Sequence, residues 1–94
     1  MEPLTGREKT RLRGLGQRLD PALKLGKSGL TPAFAAELRR HLQAAELVKL
    51  RFFDVDRHQQ AELCARLAAE SGGTCLGSVG RTALFYLPRP APQG

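Results

Sequence analysis

Leu25-Gly26-Lys27-Ser28-Gly29-Leu30-Thr31-Pro32 places a glycine-flanked turn directly before a strong helix start. Thr31 suits the N-cap, where its hydroxyl can accept from an unpaired backbone N–H, and Pro32 suits the first helical position, where no N–H is needed. The preceding run, Ala22-Leu23-Lys24-Leu25, reads as a short apolar strand, so this region is strand, turn, helix. A Gly-x-x-Gly turn lets backbone approach a bulky ligand, and the free N–H groups of the helix behind it present partial positive charge to an anion. Phosphate fits that description.

Two phosphate readings compete. A nucleotide-gripping loop requires Gly-x-x-x-x-Gly-Lys-Ser/Thr, and Pro21 stands where the first of those glycines belongs. Asp54, after the apolar stretch around Phe52 and Phe53, resembles a magnesium-binding aspartate, but the chain is short for an NTPase. What remains is a clamp on the backbone of a nucleic acid, the part a Gly-x-x-Gly loop plays in KH modules, set against a plain strand-to-helix turn. Charge and its placement decide between them.

The 94 residues, 41% hydrophobic, suit one domain that buries roughly two-thirds of its unfolded surface. Fifteen Lys and Arg oppose nine acids, for a net charge of +6 and a pI near 10.2. Seven of the bases (Arg7, Lys9, Arg11, Arg13, Arg18, Lys24, Lys27) precede Gly29, against Glu2, Glu8 and Asp20, so this segment carries +4 of the +6. Such a concentration favours a polyanionic partner. Cys64 and Cys75 have no Cys-x-x-Cys spacing and read as small apolar residues in a reducing compartment. His41 and His58 read as solvated helix residues. No metal site, cofactor site or catalytic constellation emerges, and no apolar run is long enough for a membrane span or a signal peptide. A cytoplasmic, non-enzymatic protein is expected.

Thr5 with Glu8 forms a capping-box pattern that opens a first helix, expected to end near Asp20-Pro21. Leu12, Leu15 and Leu19 share one stripe of that helix and should pack, while Arg7, Arg11, Gly14 and Arg18 fall together on another. From Thr31 to about Ala45, Phe34, Leu38, Leu42 and Ala45 recur at helical spacing and should be core, opposite Glu37, Arg39, Arg40 and Gln43. Leu47 to Phe52 alternates as a half-buried strand, with Val48, Leu50 and Phe52 on one face and Lys49 and Arg51 on the other. Asp56 and Gln59 open a third helix carrying Leu63, Cys64, Leu67 and Ala68 to Gly72-Gly73. Thr74–Val79 and Thr82–Leu87 flank Gly80-Arg81 as a hairpin, in which Phe85 and Tyr86 are expected to pack rather than to stack on bases. Residues 89–94 are Pro-rich and expected to be extended or disordered.

The order helix, strand, helix, strand, helix, strand, strand predicts a single α/β (α+β) domain over residues 1–88. Helical crossovers imply parallel pairing and the hairpin adds an antiparallel pair, giving a mixed four-stranded sheet packed with helices.

Four pieces in this order resemble the CRM domain of chloroplast RNA splicing and ribosome maturation proteins, especially its stand-alone bacterial YhbY form. They are Leu12-Arg13-Gly14-Leu15, the stretch from Leu25 to Thr31, Glu46-Leu47-Val48-Lys49-Leu50-Arg51-Phe52, and Val79-Gly80-Arg81-Thr82-Ala83-Leu84-Phe85-Tyr86. The resemblance, spanning about Leu4 to Pro88, implies a fold similar to the C-terminal domain of translation initiation factor 3, RNA binding, and association with precursors of the large ribosomal subunit. The family's Gly-x-x-Gly loop maps onto Gly26, Lys27, Ser28 and Gly29. One departure is Leu87, where the family often has arginine between Tyr and Pro; Arg89 is a candidate substitute.

The expected RNA-binding residues are therefore Gly26 and Gly29 for close backbone approach, Lys27 for phosphate contact, Ser28 as a hydrogen-bond donor, and Lys24, Arg7, Arg11 and Arg18 as the electrostatic footprint. The partner is expected to be ribosomal RNA, bound by a monomer with no membrane or small-molecule partner. The alternative is a protein-interaction module whose basic face docks an acidic protein.

Overall fold

Capping chemistry sets most element boundaries in the computed structural model, which describes residues 5–26 and 29–87. Residues 1–4, Lys27, Ser28 and 88–94, including the Pro-rich tail, lie outside it. Thr5 caps α1 (Gly6–Gly16) by accepting from the Glu8 N–H at 3.1 Å. Thr31 caps α2 (Pro32–Ala45), accepting from the Phe34 N–H, with Pro32 in the first turn as expected. Asp56 and Gln59 form a reciprocal capping box at the start of α3 (Arg57–Ser71), which ends on Gly72 at φ +81°, a left-handed closure that glycine reaches without strain.

Four strands, β1 (Leu23–Gly26), β2 (Leu47–Phe53), β3 (Thr74–Val79) and β4 (Thr82–Tyr86), make one mixed sheet in the order β1-β2-β4-β3. β1 runs parallel to β2, and β4 pairs antiparallel with both β2 and β3. Two strands separated by a helix therefore need not be neighbours: β3 is reached from β2 through α3, and β4 folds back into the gap between them.

Alternation along β2 sorts the two faces of the sheet. Val48, Leu50 and Phe52 join Leu25, Ala83 and Phe85 beneath Leu38 and Leu42 of α2 and Leu63, Cys64 and Leu67 of α3 in the main core. Phe34 packs at its margin, and Ala45, expected inside, is exposed at the end of α2.

On the opposite face, α1 lies over a smaller cluster of Leu12, Leu76 and Leu84, bordered by Leu47 and Tyr86. Its packing differs from the expected leucine stripe. The helix stops at Gly16, so Leu19 falls outside the helical phase, and Leu15 and Leu19 remain 47% and 37% exposed. Leu12 is buried as expected, and Gly16 is the other buried position. A Cβ on Gly16 would sit 2.5 Å from Leu84 Cδ2, so the missing side chain sets how closely helix and sheet approach. Arg18 also leaves the helix, in the turn that follows it, where its N–H donates to the Leu15 carbonyl.

Candidate nucleic-acid interface

The glycine turn sits at the end of β1, closed by a hydrogen bond from the Gly29 N–H to the Gly26 carbonyl at 3.1 Å. Neither glycine has positive φ; both are needed for space. A Cβ on Gly29 would lie 2.9 Å from Leu25 Cδ1. A Cβ on Gly26 would lie 2.6 Å from Cε2 and 2.8 Å from Cζ of Phe53. Gly29 is exposed, whereas Gly26 is buried, so the close neighbour that Gly26 admits is the Phe53 ring. Lys27 and Ser28, between them, lie outside the described residues.

Strand register places the cations around this turn. Lys24 pairs with Arg51 and Gly26 with Phe53, and directly paired residues share a face. Arg51 in turn pairs with Thr82. Lys24, Arg51 and Phe53 thus occupy the α1 side of the sheet, on the part near β1, and all three are exposed. Lys49, two residues before Arg51, joins Arg13, Gly16 and Gln17 in lining an open groove of about 480 Å³ between the end of α1 and the β3-β4 hairpin.

The basic residues divide by what their charged ends do. Arg13 donates from Nε to the Leu76 carbonyl at 2.9 Å, and Arg81 donates from Nη1 to the Val55 carbonyl at 3.1 Å, so both tie elements together. Arg7 and Arg11 are exposed on the side of α1 away from Leu12 and Gly16, and Arg18 is exposed beyond its end. Ion pairs among the described residues join Glu37 to Arg40 and His41, and Glu62 to His58, all within α2 or α3. No carboxylate among the described residues lies within 4.0 Å of the charged ends of Arg7, Arg11, Arg18, Lys24 or Arg51. The predicted cations therefore form two sets: Lys24, beside the turn, and Arg7, Arg11 and Arg18, on and just after α1.

His41 and His58 are solvated helix residues as expected, with side chains 40% and 84% exposed. Each has a glutamate one helical turn away, at 3.9 and 3.0 Å, although no group of three metal-ligating side chains gathers among the described residues. Cys64 and Cys75 are free thiols, Cys64 buried in the main core and Cys75 packed against it, as expected of small apolar residues. Their proximity lowers the Cys75 thiol to about 7, while the neighbouring Cys75 and burial push Cys64 up. Phe85 is fully buried and Tyr86 packs beside α1, as expected. Phe53 was not singled out from sequence. Its signal was present in the alternation of β2, which puts it on the face of Lys49 and Arg51.

With fold and surface established, the chain belongs to the CRS1/YhbY (CRM) domain family, whose model matches residues 4–86. It is 34% identical over 90 residues to a Pseudomonas aeruginosa protein named "Probable RNA-binding protein PA4753", covering 96% of this chain and 86% of that one. A Haemophilus influenzae protein named "RNA-binding protein" is 28% identical over 88 residues, covering 94% and 89% of the two chains. The solution structure of SAV1595 from Staphylococcus aureus has the same fold, with a TM-score of 0.82 at 23% identity over 97% of this chain and 95% of that one. No helix among the described residues is long and apolar enough to cross a membrane.

Proposed function

We propose that this protein binds RNA as a monomer, through the turn from Gly26 to Gly29 and the cations on the α1 side of the sheet, and that its target is ribosomal RNA in the large-subunit precursor. The observation that carries the reading is the Lys24–Arg51 row beside the turn, two exposed cations with no carboxylate in ion-pair range among the described residues. Repulsion between paired like charges is unfavourable within the folded protein, and a phosphate chain laid across them relieves it. Lys27 supplies a further phosphate contact, Ser28 donates to a backbone oxygen, and Arg7, Arg11 and Arg18 lengthen the footprint along the strand. Membership of the CRM family and the names of the two relatives support RNA as the partner.

Side chains cannot enter the narrow major groove of A-form RNA, so selectivity comes from helix shape and from unpaired bases. The test is sedimentation of a cell extract with and without ribonuclease. Co-migration with large-subunit precursor particles that ribonuclease abolishes is the expected result. Co-migration that survives complete RNA digestion points instead to an acidic protein partner.

A further inference from the structure

We infer that Phe53 is a stacking platform for an unpaired RNA base, placed beside the phosphate-binding turn; this rests on the RNA-binding reading above. Phe53 ends β2 with 49% of its surface exposed, while the residue before it, Phe52 on the inner face, is fully buried. Three consecutive ring atoms, Cδ2, Cε2 and Cζ, lie within 3.3 Å of where a Gly26 Cβ would stand. The ring is therefore seated over glycine backbone, which holds it while leaving the rest of its surface to solvent. Any larger residue at position 26 would lift it away.

An exposed aromatic is by itself unremarkable on a protein surface. Its surroundings point to a ligand. Lys24 and Arg51, both exposed, occupy the adjacent row of the same face. A cationic track with an aromatic side chain beside it is the combination that single-stranded nucleic acids require, since the track follows phosphates and the ring takes a base whatever its identity.

The acids nearby orient the strand. Asp54 and Asp56 border the shallow depression that Phe53 shares with Arg51 and Arg81. They repel phosphate at that end but leave a neutral base unaffected. The backbone thus runs along the Lys24–Arg51 row, with one base directed over Phe53.

The chain contains no tryptophan, so Phe53→Trp introduces a single reporter at the platform. The probes are a single-stranded oligouridylate of about twelve nucleotides and an A-form RNA duplex of equal length. Phe53→Trp is expected to bind the oligouridylate at least as well as the wild type, with its emission quenched on saturation. Phe53→Leu, which keeps apolar cover over Gly26 but has no π-face, is expected to weaken oligouridylate binding about tenfold while leaving duplex affinity unchanged.

Unquenched emission with undiminished binding by Phe53→Leu overturns the platform while leaving RNA binding intact. An equal loss for both probes also overturns it, because base stacking cannot explain a duplex effect. If Phe53→Leu instead abolishes self-association and leaves RNA affinity unchanged, the ring covers a second copy of the chain and the proposal fails. Wild-type protein that binds neither RNA overturns both this inference and the functional reading beneath it.

Discussion

Arg13 Nε donates to the Leu76 carbonyl at 2.9 Å, so one of the arginines of the basic first helix is a structural tie between α1 and β3. The acceptor lies where β3 bulges: register shifts between Cys75 and Gly77, Gly77 takes φ +145°, and Leu76 joins Leu12 and Leu84 beneath α1. The guanidinium also lies over Gly77, within 3.5 Å of a would-be Cβ. Stability and RNA affinity should therefore separate along this helix. Arg13→Ala is expected to lower unfolding free energy by about 1–2 kcal/mol, measured by urea denaturation, because it removes a part-buried charged donor and its packing. Arg11→Ala should change stability by less than about 0.5 kcal/mol, as an exposed substitution does, and weaken RNA binding instead.

Gly14 and Gly16 of α1 should respond to alanine with opposite signs. Gly16→Ala drives a methyl group into Leu84, with a Cβ 2.5 Å from Cδ2, and overpacking of this kind costs about 1–3 kcal/mol. Gly14 has nothing within 4 Å of its Cβ position, so Gly14→Ala should stabilise the helix by about 0.5–1 kcal/mol. Thermal unfolding of the two variants beside the wild type checks both.

The linked thiols predict a pH dependence. Cys75 is lowered to about 7 from an ordinary 9.0 by the neighbouring Cys64, while Cys64 is raised. Between about 7 and 9 the unfolded chain holds both thiol protons and the native chain one, so stability rises with pH. Above 9.0 the unfolded chain releases both while native Cys64 keeps its proton, so this contribution falls again. Native alkylation by iodoacetamide should rise through a midpoint near 7, and Cys64→Ala should move that midpoint upward. Equal midpoints in the two proteins would show that the thiols are not linked.

Most of the architecture is legible wherever local chemistry is strong. Thr31-Pro32, Asp56 with Gln59, and Gly72 mark helix ends because each satisfies backbone groups within a few residues, and β2 shows its buried face by alternation. The face of α1 is harder to read, because its docking depends on a residue with no side chain, Gly16, and on a carbonyl that only a bulge in a distant strand presents to Arg13. Apolar periodicity favoured Leu15 and Leu19, which the early end of the helix leaves exposed. At the candidate site, motif and charge pick out the turn and Lys24. The seat of Phe53 on Gly26 requires the β1-β2 register, which neither strand encodes alone.

The salt dependence of RNA affinity tests the central claim most directly. With roughly five phosphates neutralised by the cations around the turn and along α1, log affinity should fall against log salt concentration with a slope of about −4, somewhat shallower for a single strand. Replacing Lys24 and Arg51 together by alanine should reduce the magnitude of that slope by about 2. An affinity indifferent to salt, or a slope unchanged by the double substitution, would contradict the account.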